Sequence, residues 1–172
     1  PVLAVKHARA LYDSFMDSDP DGHVWTYLAY GPWQSFEQFE NWLKEREAAQ
    51  DPWFYVYVRR DTGKAAGMGS FMRADAPNGV IEIGHIEIAP VMQRTPAATE
   101  AISLMIGWAF SAGYRRVEWK CDSLNQPSMA AAKRFGFTYE GLFRQASVSK
   151  GRNRDTAWYS ILDREWTTLD DA

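Results

Sequence analysis

The chain has 172 residues, 46% of them hydrophobic and 15% aromatic, with a formal net charge of −3. That is enough apolar material to bury a core without staples, and the charge gives no reason to expect nucleic acid as a bulk partner. A lone cysteine, Cys121, excludes an intramolecular disulfide and suits a reducing, cytoplasmic setting, while no apolar run reaches membrane-spanning length and no signal-like segment is visible.

Residues 3–16 carry helical spacing through Leu3, His7, Leu11 and Phe15. An acidic, turn-rich stretch follows at 17–22, a weak lure for a cationic ligand, and then the aromatic run Val24-Trp25-Thr26-Tyr27-Leu28. Ser35 is placed to cap a helix over 35–49, with Phe36, Phe39, Trp42 and Leu43 on one face. Residues 54–59 and 65–73 read as a hairpin turning at Asp61-Thr62-Gly63. A strand over 80–88 ends at Pro90, and a helix runs from 96 to about 111 and closes at Gly113. On that helix Ala101, Leu104, Met105 and Trp108 have the spacing of a core stripe. Next come a strand over 116–121 with Val117, Trp119 and Cys121 on its buried face, and a helix over 127–135 capped by Asn125 and closed by Gly136. Strands near 138–148 and 155–162 turn at Lys150-Gly151. No repeat interrupts the series, so 1–172 is expected to be a single domain.

The junction at Gln93-Arg94-Thr95-Pro96-Ala97-Ala98 has the chemistry of an anion seat. Thr95 reads as an N-cap, Pro96 occupies a helical position that needs no N–H, and the small residues after it let a ligand approach the backbone. The N–H groups of Arg94, Thr95, Ala97, Ala98 and Thr99, with the positive end of the helix dipole, are the expected donors to a phosphate or pyrophosphate.

Gln93-Arg94-Thr95-Pro96-Ala97-Ala98 resembles the pyrophosphate loop Q/R-x-x-G-x-G/A of the GNAT acetyltransferase superfamily. Asn125 through Phe137 is similar to that superfamily's later motif, an Asn closing a strand, a short helix and then Gly-Phe. The tail, Tyr139 to Arg144 and Arg154 to Ile161, looks like the last two strands of its RimJ/RimL-type branch, which acetylates protein N-termini and other amines. The resemblance implies an α+β fold: a central mixed, mostly antiparallel sheet flanked by helices and splayed at the acyl-CoA site. It implies acetyl-CoA as acyl donor, no metal, an amine acceptor and direct transfer without an acyl-enzyme. It gives Ile86, Glu87 and Ile88 to the pantetheine arm and the thioester carbonyl, and makes Gln93, Asn125 and Lys133 cofactor contacts, with Lys133 or Arg134 offered to the 3′-phosphate. A homodimer is compatible with it.

Two departures stand out. Pro96 and Ala98 replace the loop's glycines, and Ala132 stands where many members carry a Tyr that protonates the leaving thiolate. Ser128, one turn earlier on the same face, is the nearest hydroxyl for that task. Amine attack on a thioester needs a neutral nitrogen, hence a base. Glu82 is the first choice: it stands eleven residues before Gln93, the offset at which resemblance to the superfamily's histone-acetylating members implies a glutamate, and it shares a face with Gly84 and Ile86 if the strand is regular. His85 and Glu87 are the alternatives, and a bulge would reverse one of them. A second functional reading is a non-catalytic acyl-CoA binder acting through protein contacts at Trp25, Tyr27 and Trp33; a third is a nucleic-acid module using the basic turn at 150–154. The superfamily opens with an edge strand, and this sequence enters a helix almost at once, so that strand is expected to be absent or trimmed.

Overall fold

The computed structural model describes residues 1–166. The elements, in order, are α1 (Ala8–Ser18), α2 (Phe36–Glu47), β1 (Trp53–Val58), β2 (Ala65–Asp75), β3 (Val80–Ile88), α3 (Pro96–Ser111), β4 (Arg116–Asp122), α4 (Gln126–Arg134), β5 (Thr138–Ser149) and β6 (Arg152–Leu162). The strands form one six-stranded sheet in the order β1-β2-β3-β4-β6-β5. Pairing is antiparallel in β1/β2, β4/β6 and β5/β6. The parallel β3/β4 ladder pairs Val80↔Arg116, Ile81↔Val117 and Glu82↔Glu118. Among the described residues no helix is long and apolar enough to cross a membrane.

The chain divides into two compact units, one of Pro1–Met72 with His85–Ala101, the other of Arg73–Gly84 with Ile102 onward. In the first, α1 and α2 bury Leu11, Phe15, Phe39 and Leu43 together with Phe54, Val56 and Met68. Ser35 caps α2 as expected, its side chain accepting from the Gln38 N–H. Trp25, expected at the surface, is 3% exposed and packs edge-on against Phe15. The acidic loop is likewise structural in part. Asp19 is buried and accepts from the Val24 N–H (2.9 Å), fixing the turn that inserts Trp25. At the sheet edge Val2 bridges Tyr55, the Leu3 N–H donates to Phe54 O and the Val56 N–H to Pro1 O, each at 2.9 Å. An edge segment is therefore present ahead of α1, although its bridge is too short to show in the residue pattern.

In the second unit β4 buries Val117, Trp119 and Cys121, as alternation required. The later part of α3 buries Ile102, Met105, Ile106 and Ala109, whereas Leu104 is 64% and Trp108 47% exposed. The expected core stripe is thus displaced by one position. The helix is apolar on most sides, so spacing allowed two stripes about 100° apart and only packing chose between them.

Candidate active site

The turn from β3 into α3 is built by its own side chains. The Ala89 N–H donates to Ala66 O (2.9 Å), the Met92 and Gln93 N–H groups return to Ala89 O, and Gln93 Nε2 donates to Ile88 O at 2.8 Å. Gln93 therefore holds the end of the strand. Thr95 caps α3 as expected: its hydroxyl donates to Met92 O (2.6 Å) and accepts from the Ala98 N–H (3.3 Å). The Thr99 N–H donates to Thr95 O (3.3 Å). These bonds remove Ala98 and Thr99 from the expected donor set. Arg94, Thr95 and Ala97 remain, with Arg94 at a φ of 58° that turns the chain into the helix. Ala97 is half-buried, while Ala98 is 7% exposed and faces the packing beneath the helix.

Regular alternation in β3 breaks at His85, which has a φ of 51°. Its imidazole lies near-parallel to the Tyr30 ring, centroids 5.6 Å apart, with His85 Nδ1 3.0 Å from the Tyr30 hydroxyl. Phe54 also packs against the imidazole, with centroids 5.1 Å apart, and Trp42 and Trp33 back Tyr30. Burial, reinforced by the charge of Glu87, pushes the Tyr30 hydroxyl well above its ordinary value, so it stays protonated. The same two causes hold the Tyr57 hydroxyl protonated. Glu87 is itself 5% exposed. Ile86 and Ile88 flank it, both half-buried.

Glu82 is 5% exposed and engaged at both sides. Its Oε2 accepts from Arg73 Nη1 (3.0 Å) and Lys120 Nζ (2.8 Å). Lys120 also meets Glu118 at 2.8 Å and lies 3.8 Å from the centroid of the Trp158 ring. Arg116 continues the series, binding Glu118 at 3.0 Å and Glu140 at 2.8 Å, and Glu140 accepts from the Ser160 hydroxyl at 2.7 Å. The expected base is thus one member of an alternating ladder of charge across β2, β3, β4 and β5, with Ser160 and Trp158 of β6 beside it. Its place there follows from cross-strand neighbours that one-dimensional spacing does not reveal.

On α4, Asn125 caps as expected, its Oδ1 accepting from the Ser128 N–H at 3.1 Å. The Ser128 hydroxyl accepts from Trp119 Nε1 (3.0 Å) and bonds the Cys121 side chain, a contact that opposes the upward push of burial on that thiol. Ser128 therefore fastens α4 to β4. Ala132 is fully buried, so the tyrosine common at this position has no room in this packing. Lys133 and Arg134 are exposed, Arg134 lying over Phe135. Tyr30 was not singled out from the sequence: it sits in an irregular loop, and only its neighbours in space mark it.

Comparison with known proteins agrees with this layout. The profile of the Acetyltransferase (GNAT) domain matches residues 2–138. A GCN5-related N-acetyltransferase from Brucella melitensis superposes with a TM-score of 0.92 at 45% identity, covering 96% of this chain and 75% of that one. A protein from Chromobacterium violaceum described as a probable GNAT-family acetyltransferase gives 0.89 at 43% identity, covering 96% and 82%. The p20 protein of Bacillus licheniformis, an uncharacterized N-acetyltransferase, is 32% identical over 65% of this chain and 63% of its own length, so the match spans less than two thirds of that relative. With the mixed sheet, the capped β3–α3 turn and a domain profile spanning most of its length, this chain belongs to the GNAT acetyltransferase family.

Proposed function

We propose that the protein transfers an acetyl group from acetyl-CoA directly to a primary amine. The observation that carries this reading is the capped turn from β3 to α3, where Arg94, Thr95 and Ala97 offer backbone donors at the positive end of a sixteen-residue helix. The pyrophosphate would sit on these groups, and the pantetheine arm would run along Ile86, Glu87 and Ile88, whose backbone would polarise the thioester carbonyl. Lys133 is the side chain offered to the terminal phosphate. Gln93, Ala98, Thr99, Asn125 and Ser128 support the reading indirectly, by shaping the turn and the helix caps. The acceptor class suggested by the RimJ/RimL-like tail is a protein N-terminus, with small amines as the competing class.

Calorimetric titration with coenzyme A tests the binding half of the reading. We expect binding that Ala97→Leu weakens at least tenfold, because a branched side chain there stands over the donor groups. No heat at millimolar ligand, or an unchanged Kd in Ala97→Leu, contradicts the assignment. The alternative of a binding protein without chemistry loses one of its supports, since Trp25 is buried and Trp33 packs against Tyr30.

A further inference from the structure

We propose that one face of the β5–β6 hairpin binds single-stranded nucleic acid, an activity distinct from acetyl transfer. Residues 141–154 hold Arg144, Lys150, Arg152 and Arg154 and no carboxylate, in a chain whose formal net charge is −3. Positive charge is thus gathered on one hairpin, an asymmetry that the net value hides. Among the described residues no carboxylate forms an ion pair with Arg144, Arg152 or Arg154. Asp155, the next acid along the chain, feels the charge of Arg144 but is bound by the Gln145 N–H (2.7 Å) and the Asn153 amide (2.9 Å). The acids of the neighbouring ladder, Glu118 and Glu140, are already paired with Lys120 and Arg116.

Alternation along β6 places Arg152, Arg154, Thr156 and Trp158 on one face, and Arg154 Nε donates to the Thr156 hydroxyl at 3.3 Å along it. The register with β5 sets Phe143 opposite Thr156, Ser147 opposite Arg154 and Ser149 opposite Arg152, so these belong to the same face. There Phe143 stacks on Trp158, with centroids 4.4 Å apart and an interplanar angle of 23°. Lys120 lies over Trp158, and Phe143, 53% exposed, is the ring offered to a ligand. An exposed aromatic ring beside a row of arginines meets both needs of a single strand: a surface on which an unpaired base stacks, and cations for the phosphates that follow it. The serine hydroxyls opposite the arginines add donors to phosphate oxygens. A duplex keeps its base faces to itself and an acidic peptide has none, so the aromatic pair is what selects among polyanions.

The test is fluorescence anisotropy of the full chain with labelled oligo-U and oligo-dT, a duplex of the same length and a polyglutamate peptide, all without acetyl-CoA. We expect the single strands to bind with a Kd of about 10⁻⁴ M or tighter, and the logarithm of the association constant to fall with that of salt at a slope of about −2, as for three phosphates on a single strand. Phe143→Ala should weaken binding about fivefold or more, and Phe143→Tyr should restore it. Arg152→Gln combined with Arg154→Gln should flatten the salt slope by about half or more, whereas Arg60→Gln, in the β1–β2 turn, should leave it unchanged. The urea midpoint of each variant checks that its fold is kept. A preference between oligo-U and oligo-dT names the sugar recognised, and equal binding extends the proposal to both. Absence of binding to either single strand overturns it, as does a duplex or polyglutamate bound as tightly, or a Phe143→Ala protein that binds at wild-type strength. With no acetyl-CoA present, none of these results bears on the transfer reading.

Discussion

At the scale of single residues, Gly67 shows how tightly the end of β3 is held. A Cβ at that position would lie 2.8 Å from Glu87 O and 2.9 Å from the Tyr57 ring, closer than real contacts allow. The backbone of β2 therefore approaches β3 beside the stretch proposed to carry the thioester. Gly67→Ala should destabilise the protein by about 1–3 kcal/mol through overpacking, read by urea unfolding. A stability within a few tenths of wild type would mean that β3 shifts freely there. That close approach was not visible as a requirement in the sequence, where Gly67 is one of two glycines in a strand. By contrast Ser35, Thr95 and Asn125 were legible as caps, because a cap is a local bond between a side chain and a backbone N–H two or three residues on. Glu82, His85 and Tyr30 depend on partners 9 to 55 residues away. No local rule carries that information.

At the scale of elements, the charge ladder joins β2, β3, β4 and β5. Lys120 is at its centre, its side chain 7% exposed between Glu82 and Glu118. Removing a buried cation leaves its carboxylates under-compensated, which is far more damaging than losing a surface pair. Lys120→Met should cost about 3–5 kcal/mol in equilibrium urea unfolding, somewhat less if Arg73 and Arg116 take up the slack; a loss under 1 kcal/mol would show that the ladder is solvated. Its outer rung has a pH signature. Glu140 is held down at about 2, first by its hydrogen bonds to Arg116 and then by the Ser160 hydroxyl. A depressed carboxylate contributes stability above its ordinary value of 4.5 and loses it as the pH falls through about 2. Because the side chain is 39% exposed, solvent screening limits the contribution to about 1 kcal/mol. Glu140→Gln should be less stable than wild type at pH 7, with the gap closing between pH 4.5 and pH 2; a gap that persists unchanged at pH 2 contradicts the assignment. Element boundaries were legible where punctuation is strong, as in β3 and α3 with Pro90, Thr95, Pro96 and Gly113. The face of α3 was not, since Leu104 and Trp108 are as apolar as the residues buried beside them.

At the scale of the whole molecule, order and spacing of the elements carried the fold, and the pyrophosphate-loop and Asn-to-Gly-Phe motifs carried the family. The surroundings of His85 did not follow from either, because they depend on a break in strand regularity there and on a loop tyrosine. The central claim is transfer of acetyl from acetyl-CoA to a primary amine, and mass spectrometry tests it most directly. The full chain would be incubated with acetyl-CoA and a panel of serine- and alanine-starting peptides, polyamines and aminoglycosides, with free thiol followed in parallel. At least one amine should gain a single acetyl group in step with thiol release. Tight coenzyme A binding with no acetylated product and no amine-dependent thiol across the panel would contradict it.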